Sequence, residues 1–375
     1  MASIITLIIL AGFVAYLCYL QIKIIKFSQN PNEKMYCKIL LILFIIANLW
    51  YYINLDICFP MDIILMVGYS AMILALYLYN LIVKHIGRSE TTITNFDTNF
   101  QEEKGSLHEF LRKFFHFFVF GGSLLFVFLY NYLLMDISLK YPNFGLDSIS
   151  IWDNIPVISI INVNIMVDPN LLRPPQMQMA MMTFFMMALP FAVIVERFRL
   201  DPNKEVPFHL MFVKSLRESE QYNAAHYYFF VFGVFISAIF LPATVVFGIL
   251  CVLCFGDTFA GLIGKRCKNH RHIIKWEDDK CWEGAIAGTF FTFITAIFFV
   301  GWFLALILGI IFLVIDIITP KLLAVSDNFL YPLTCIVVMI FFIYVIGFQI
   351  DAPISNIFDD INQFYLNHAK RVLNL

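Results

Sequence analysis

The sequence predicts an all-α, polytopic transmembrane helical bundle of about ten spans, and three observations predict it. Of the 375 residues, 61% are hydrophobic and only 14% are charged, against about a quarter charged in an average soluble domain. The mean hydropathy is +0.80. Apolar stretches of roughly 20 residues recur along the chain, each long enough to cross a hydrocarbon core about 30 Å thick as a helix. A water-soluble globule is excluded. The 25 basic and 27 acidic residues leave a net charge of −2, which gives no electrostatic footprint for nucleic acid. The expected environment is the lipid bilayer, no nucleic acid is expected as a partner, and the oligomeric state is left open.

Apolar runs and their polar breaks place the spans near 3–22, 38–55, 61–83, 114–134, 176–195, 225–241, 243–262, 285–301, 303–319 and 332–349. The first run lacks a preceding Lys or Arg and a small-residue cleavage pattern, so it reads as a span and not as a removed signal peptide. As one helix, the run 285–318 would be about 50 Å long, so a turn near Gly301 and Trp302 is expected to divide it.

Basic residues collect in alternate breaks. Lys23, Lys26, Lys34 and Lys38 fill the first, and Lys84, Arg88, Lys104, Arg112 and Lys113 the third. Arg197, Arg199, Lys204, Lys214 and Arg217 fill the fifth, and Lys265 through Lys280 the seventh. The positive-inside rule puts these breaks in the cytoplasm. The second break, with Asp56 and Asp62, and the long fourth, with Asp136, Asp147, Asp153 and Asp168, then face outward, as do both termini.

Three regions follow: a three-span region with its cytoplasmic loop over 1–104, a central transmembrane domain over 105–350, and an amphipathic tail over 351–375 that is too polar to span. The eight cysteines show no disulfide spacing and read as packing residues. The Met-rich run from Met177 to Met187 reads as flexible packing within a span.

The candidate chemistry lies in a few polar groups. In Phe255-Gly256-Asp257-Thr258-Phe259-Ala260-Gly261-Leu262-Ile263-Gly264, a carboxylate sits inside an apolar span. An ionisable group there is costly unless it faces a cavity, a metal or a partner, so Asp257 is a functional residue by default. Gly256, Gly261 and Gly264 share a helical arc, which serves either close helix packing or the approach of a ligand to the backbone.

The loop that follows, from Lys265 and Arg266 through His270, Arg271 and His272 to Lys275, is the densest cationic cluster in the chain. It closes on Lys280-Cys281-Trp282-Glu283-Gly284. Arg and Lys can position phosphate oxygens, and the carboxylates of Asp257 and Glu283 can hold Mg²⁺. A zinc set from Cys267, His270, His272 and Cys281 fits no standard spacing. Gly284 and Gly288 make a small-xxx-small pair suited to helix packing.

Glu109, Arg112, Lys113 and His116 fall at i, i+3, i+4 and i+7, so one helical face carries an acid, two cations and an imidazole. His226 opens the sixth span, where a lone His is ordinarily a packing or surface residue. Asp327-Asn328-Phe329-Leu330-Tyr331-Pro332 precedes the last span, where the plain reading is a helix cap with a proline start. All of these fall on the cytoplasmic side of the expected topology.

This set resembles the CTP-dependent lipid kinase family, which includes dolichol and other polyprenol kinases, phytol kinases and CTP-dependent diacylglycerol kinases, with phosphatidate cytidylyltransferases as relatives. The resemblance covers about residues 105–335. An E-x-x-R-K-x-x-H element resembles Glu109 to His116, and a G-D-x-x-A-x-x-x-G element resembles Gly256 to Gly264. A K-[ST]-x-E-G element resembles Lys280 to Gly284, with Cys281 in place of Ser or Thr, and a D-N-x-x-x-P element resembles Asp327 to Pro332.

The resemblance implies transfer of the γ-phosphate of CTP, with Mg²⁺, to the hydroxyl of a membrane lipid, a polyprenol such as dolichol before phytol or diacylglycerol. The carried-over expectations are a metal set of Asp257, Asp327 and Glu283, with Asn328 beside them. Arg112, Lys113, Lys265, Arg266 and Lys280 are expected to hold the triphosphate, Gly261, Gly264 and Gly284 to admit it, and Glu283 also to order the loop. His116 or Asp257 is expected to activate the hydroxyl. A cytidylyltransferase is the nearest rival, and a transporter the rival of another class; midplane polar groups and repeated halves, which a transporter calls for, are not seen. An endoplasmic reticulum and a prokaryotic plasma membrane suit the topology equally.

Overall fold

Each apolar run that can be followed becomes a helix, because the bilayer leaves the backbone no other way to satisfy its polar groups within one segment. The computed structural model describes residues 4–28, 30–53, 67–71, 74, 78, 106–140, 175–200, 224–267, 272–274, 277–319, 326–351 and 353–354. The helices are α1 (Ile4–Phe27), α2 (Pro31–Ile53), α3 (Ser106–Lys140), α4 (Pro175–Arg199), α5 (His226–Phe240), α6 (Ala243–Cys251), α7 (Asp257–Arg266), α8 (Trp282–Ile318) and α9 (Asp327–Ile340). Two π-helical turns, Val252–Gly256 and Phe341–Val345, follow α6 and α9.

The protein is mostly helical, and among the described residues five helices are long and apolar enough to cross a membrane: Lys113–Tyr130, Ala180–Arg199, Ala243–Arg266, Trp282–Ile318 and Asp327–Val345. The amphipathic tail expected beyond residue 351 and the acidic fourth break at 141–174 lie almost wholly outside the described residues.

The all-α expectation needs one correction. Strands β1 (Ile273–Ile274) and β2 (Glu277–Cys281) form an antiparallel hairpin, with Ile273 opposite Cys281 and Ile274 opposite Glu277. Once α7 ends at Arg266, the loop's backbone donors and acceptors need partners, and the β-branched pair Ile273-Ile274 suits a strand.

The chain divides into two compact units, Met1–Val119 with Thr183–Phe235 and Phe120–Met182 with Ile236–Leu375. In the first, α1 packs along α2. The break between them is shorter than the charge pattern suggests. Asn30 caps α2, its Oδ1 accepting from the Asn32 N–H at 2.9 Å, and Pro31 fills the first helical position, where no N–H is needed. Residues 67–71 pack between α1 and α4: the Tyr69 ring stacks on Phe13 at 4.3 Å, and its hydroxyl donates to the Met186 carbonyl at 3.0 Å.

In the second unit, α6 is buried along its whole length, and α8 packs against α6, α7 and α9. At Gly301 (φ 75°, ψ 170°) α8 breaks, where the sequence calls for a turn. A side chain at Gly309 would lie 3.3 Å from the Thr289 carbonyl, twenty residues earlier, so the second leg of α8 folds back on the first. Along the first leg Trp282, Ile286, Phe290, Ile294 and Phe298 are exposed at every fourth position, and Trp302, just past the break, is exposed too. That exposed apolar stripe suits a lipid environment.

Gly301 combines φ and ψ values open essentially only to glycine, and a Cβ there would collide with the Asp351 carbonyl. Gly301→Ala is therefore expected to cost about 1–3 kcal/mol. A lowered midpoint in thermal unfolding of the detergent-solubilised protein checks it.

Candidate functional site

In the second unit the polar groups gather at the Trp282 end of α8. The π turn Val252–Gly256 leads directly into Asp257, the first residue of α7. It holds one more residue than an α turn, a feature that recurs at functional sites. Gly256 allows Phe312 of the second leg of α8 to approach, since a Cβ there would stand 2.9 Å from the ring. Phe312 in turn stacks on Tyr331 of α9 at 5.3 Å.

Asp257 is thereby set near the start of α9, which carries Asp327 and the buried Asn328. The Asp327 carboxylate accepts from the Asn328 N–H at 2.9 Å. Asp316, near the end of α8, lies within electrostatic range of both Asp257 and Asp327, and Tyr331 lies within range of all three carboxylates.

The expected loop cation is engaged at this cluster. Lys280 Nζ donates to Asp316 Oδ1 at 2.8 Å and to the Asp316 backbone carbonyl at 2.9 Å, with Thr319 Oγ1 at 3.5 Å. A cation over the last carbonyls of a helix also complements the helix dipole. Glu283 reaches the other way. Its carboxylate meets His272 Nδ1 at 2.5 Å and accepts from the His272 N–H at 3.2 Å, while Trp282 N–H donates to the His272 carbonyl at 3.0 Å. Glu283 thus holds the hairpin against the first turn of α8.

Among the described residues no three His, Cys, Asp or Glu side chains are grouped to hold a metal ion, so the expected trio of Asp257, Asp327 and Glu283 is not assembled. The remaining chemistry still suits Mg²⁺, which commonly takes one or two carboxylates and completes its shell with water and substrate phosphates. The zinc set is not formed either: Glu283 takes His272, Cys281 is buried against the Gly264 carbonyl at 3.9 Å, and His270 lies outside the described residues.

Gly264 and Gly284 face each other across the α7–α8 contact, a Cβ on Gly264 meeting Gly284 Cα at 3.9 Å. Their smallness is used for helix packing. Gly261 is half-buried on α7, and Lys265 and Arg266 are exposed in its last turn.

The remaining expected residues belong to the first unit. Lys113 and His116 on α3 are both buried. The His116 ring stacks on Phe230 at 4.4 Å and stands edge-on to His226 at 5.8 Å. Arg112 and Glu109 sit on the same helix, with side chains outside the described residues. The structure also reveals a polar knot that the sequence reading passed over. Glu196, fully buried on α4, accepts from Arg199 at 2.6 and 2.9 Å, from the Tyr227 hydroxyl at 2.5 Å and from the Ala225 N–H at 2.8 Å. Glu33 of α2 accepts from the adjacent Ala224 N–H at 3.2 Å, so two carboxylates meet the N-terminus of α5, where the helix dipole favours them.

Compared with family models, with curated proteins and with solved structures, the chain finds no match in any of the three. The class the fold and site define is that of a helical membrane protein with a carboxylate cluster near one end of a helical hairpin.

Proposed function

We propose that the protein is a CTP-dependent lipid kinase that transfers the γ-phosphate of CTP to the hydroxyl of a polyprenol such as dolichol. The observation that carries the reading is the Lys280–Asp316 pair with Asp257 and Asp327 within electrostatic range of Asp316, in the unit whose α7 ends in exposed Lys265 and Arg266, at the Trp282 end of a lipid-facing helix. Phosphoryl transfer is largely positioning and charge neutralisation, and a lipid headgroup hydroxyl is found at that depth.

Asp257 and Asp327 would hold Mg²⁺, which when bound neutralises charge on the phosphates. Lys265 and Arg266 bind phosphate oxygens. The lipid oxygen forms its bond to the γ-phosphorus as the bond to the β,γ-bridging oxygen breaks. CDP leaves, and the hydroxyl proton passes to Asp257. The proposal includes ten spans with both termini outside, a site on the cytoplasmic face, and residence in an endoplasmic reticulum or a prokaryotic plasma membrane.

The test incubates purified protein in detergent with Mg²⁺ and γ-labelled CTP or ATP. The acceptor panel is dolichol, shorter polyprenols, phytol and diacylglycerol. Label in a polyprenol with CTP preferred is the expected result. No labelled lipid, with pyrophosphate released from CTP in the presence of phosphatidate, would replace the kinase with a cytidylyltransferase.

A further inference from the structure

The resemblance assigns Lys280 to the triphosphate, yet in the structure its ammonium is committed elsewhere. Two of its three donors go to one residue, Asp316, through the carboxylate at 2.8 Å and the backbone carbonyl at 2.9 Å. Thr319 Oγ1 stands in the remaining direction at 3.5 Å. The pair is largely shielded, with side chains 20% and 14% exposed, and it joins positions 36 residues apart. Lys280 lies in β2, two residues before the start of α8, whereas Asp316 lies in the last turn of its returning leg. Without Lys280, Asp316 would lie within electrostatic range of Asp257 and Asp327 with its ion-pair partner gone.

We infer that Asp316 is a positioning residue: through Lys280 it seats strand β2 of the hairpin against the returning leg of α8, and Lys280 ties the site together instead of contacting phosphate. A second tie, Glu283 to His272, fixes the hairpin's other strand, so its only anchor to the returning leg of α8 among the described ion pairs is Asp316. The inference deepens the lipid-kinase reading, because a seated loop presents cations and carboxylates to one nucleotide.

The experiment compares wild type, Lys280→Met, Asp316→Asn and the double variant in detergent. It reads the thermal midpoint without nucleotide, and kcat and KM for Mg·CTP. Lys280→Met is expected to lower the midpoint and to raise KM about tenfold, equivalent to about 1.4 kcal/mol, with kcat much less affected. Asp316→Asn, which breaks the same tie from the other end, is expected to raise KM comparably, and the double variant to match the single variants in KM with a midpoint loss smaller than the sum of theirs.

A KM raised by Lys280→Met but not by Asp316→Asn would make Lys280 a phosphate contact and overturn the inference. Midpoints that fall without any change in KM would reduce the pair to a structural one, and additive midpoints would dissolve the pair itself. The midpoint cycle needs no nucleotide, so it decides whether the tie exists even if wild type phosphorylates no lipid, an outcome that refutes the kinase reading and the positioning role together.

Discussion

Asp257→Asn is expected to leave the protein inserted and folded while lowering lipid phosphorylation by about 10²–10⁴-fold, the range for losing a group that handles a proton in the transition state. Asparagine keeps the size of the side chain and its place after the π turn, so packing around Gly256 and Phe312 is preserved. What disappears is negative charge beside Asp316 and Asp327 and a base for the hydroxyl proton. Turnover of labelled CTP into lipid, measured with thermal midpoints for both proteins, checks the split. Unchanged turnover in a folded variant would remove Asp257 from the chemistry.

The second large effect is on stability. Glu196→Gln should destabilise the first unit by about 3–5 kcal/mol, because it leaves the Arg199 guanidinium, 3% exposed, without its carboxylate. Gln also offers a single acceptor oxygen where Arg199, Tyr227 and the Ala225 N–H now share two. Since buried ion pairs can be replaced by apolar groups of similar volume at little cost, Glu196→Leu with Arg199→Met should recover much of the loss. Thermal unfolding of the single and double variants measures the difference, and a single variant as stable as wild type would contradict the buried pair.

Features written in runs of residues were legible in the sequence, and features written in pairs were not. The divide at Gly301 could be read because 34 apolar residues are too long for one crossing, and Asp257 because it interrupts an apolar run. Asp316 interrupts one too, but it sits near the span's end before Pro320, where a charge reads as an interface residue. Glu196 was hidden in the same way beside Arg197 and Arg199, although it is fully buried.

The partner of Lys280 lies 36 residues away, a separation no local pattern reports. The cationic loop was legible as charge but not as a hairpin, since its strands are short and their pairing depends on how Glu283 and Trp282 hold His272. The stripe of small residues offered packing and ligand approach alike; for Gly264 and Gly284 the helix contact decided for packing.

The ion pair between Lys280 and Asp316 also bears on the order of assembly. Lys280 leaves the ribosome before the first leg of α8, and Asp316 only at the end of the second. In the proposed topology their bond closes only after the chain has turned at Gly301 and the second leg has folded back on the first. In that topology a hairpin stalled with one leg inserted would hold the two charges on opposite sides of the membrane, so closure of this contact marks the completed insertion of the pair of helices.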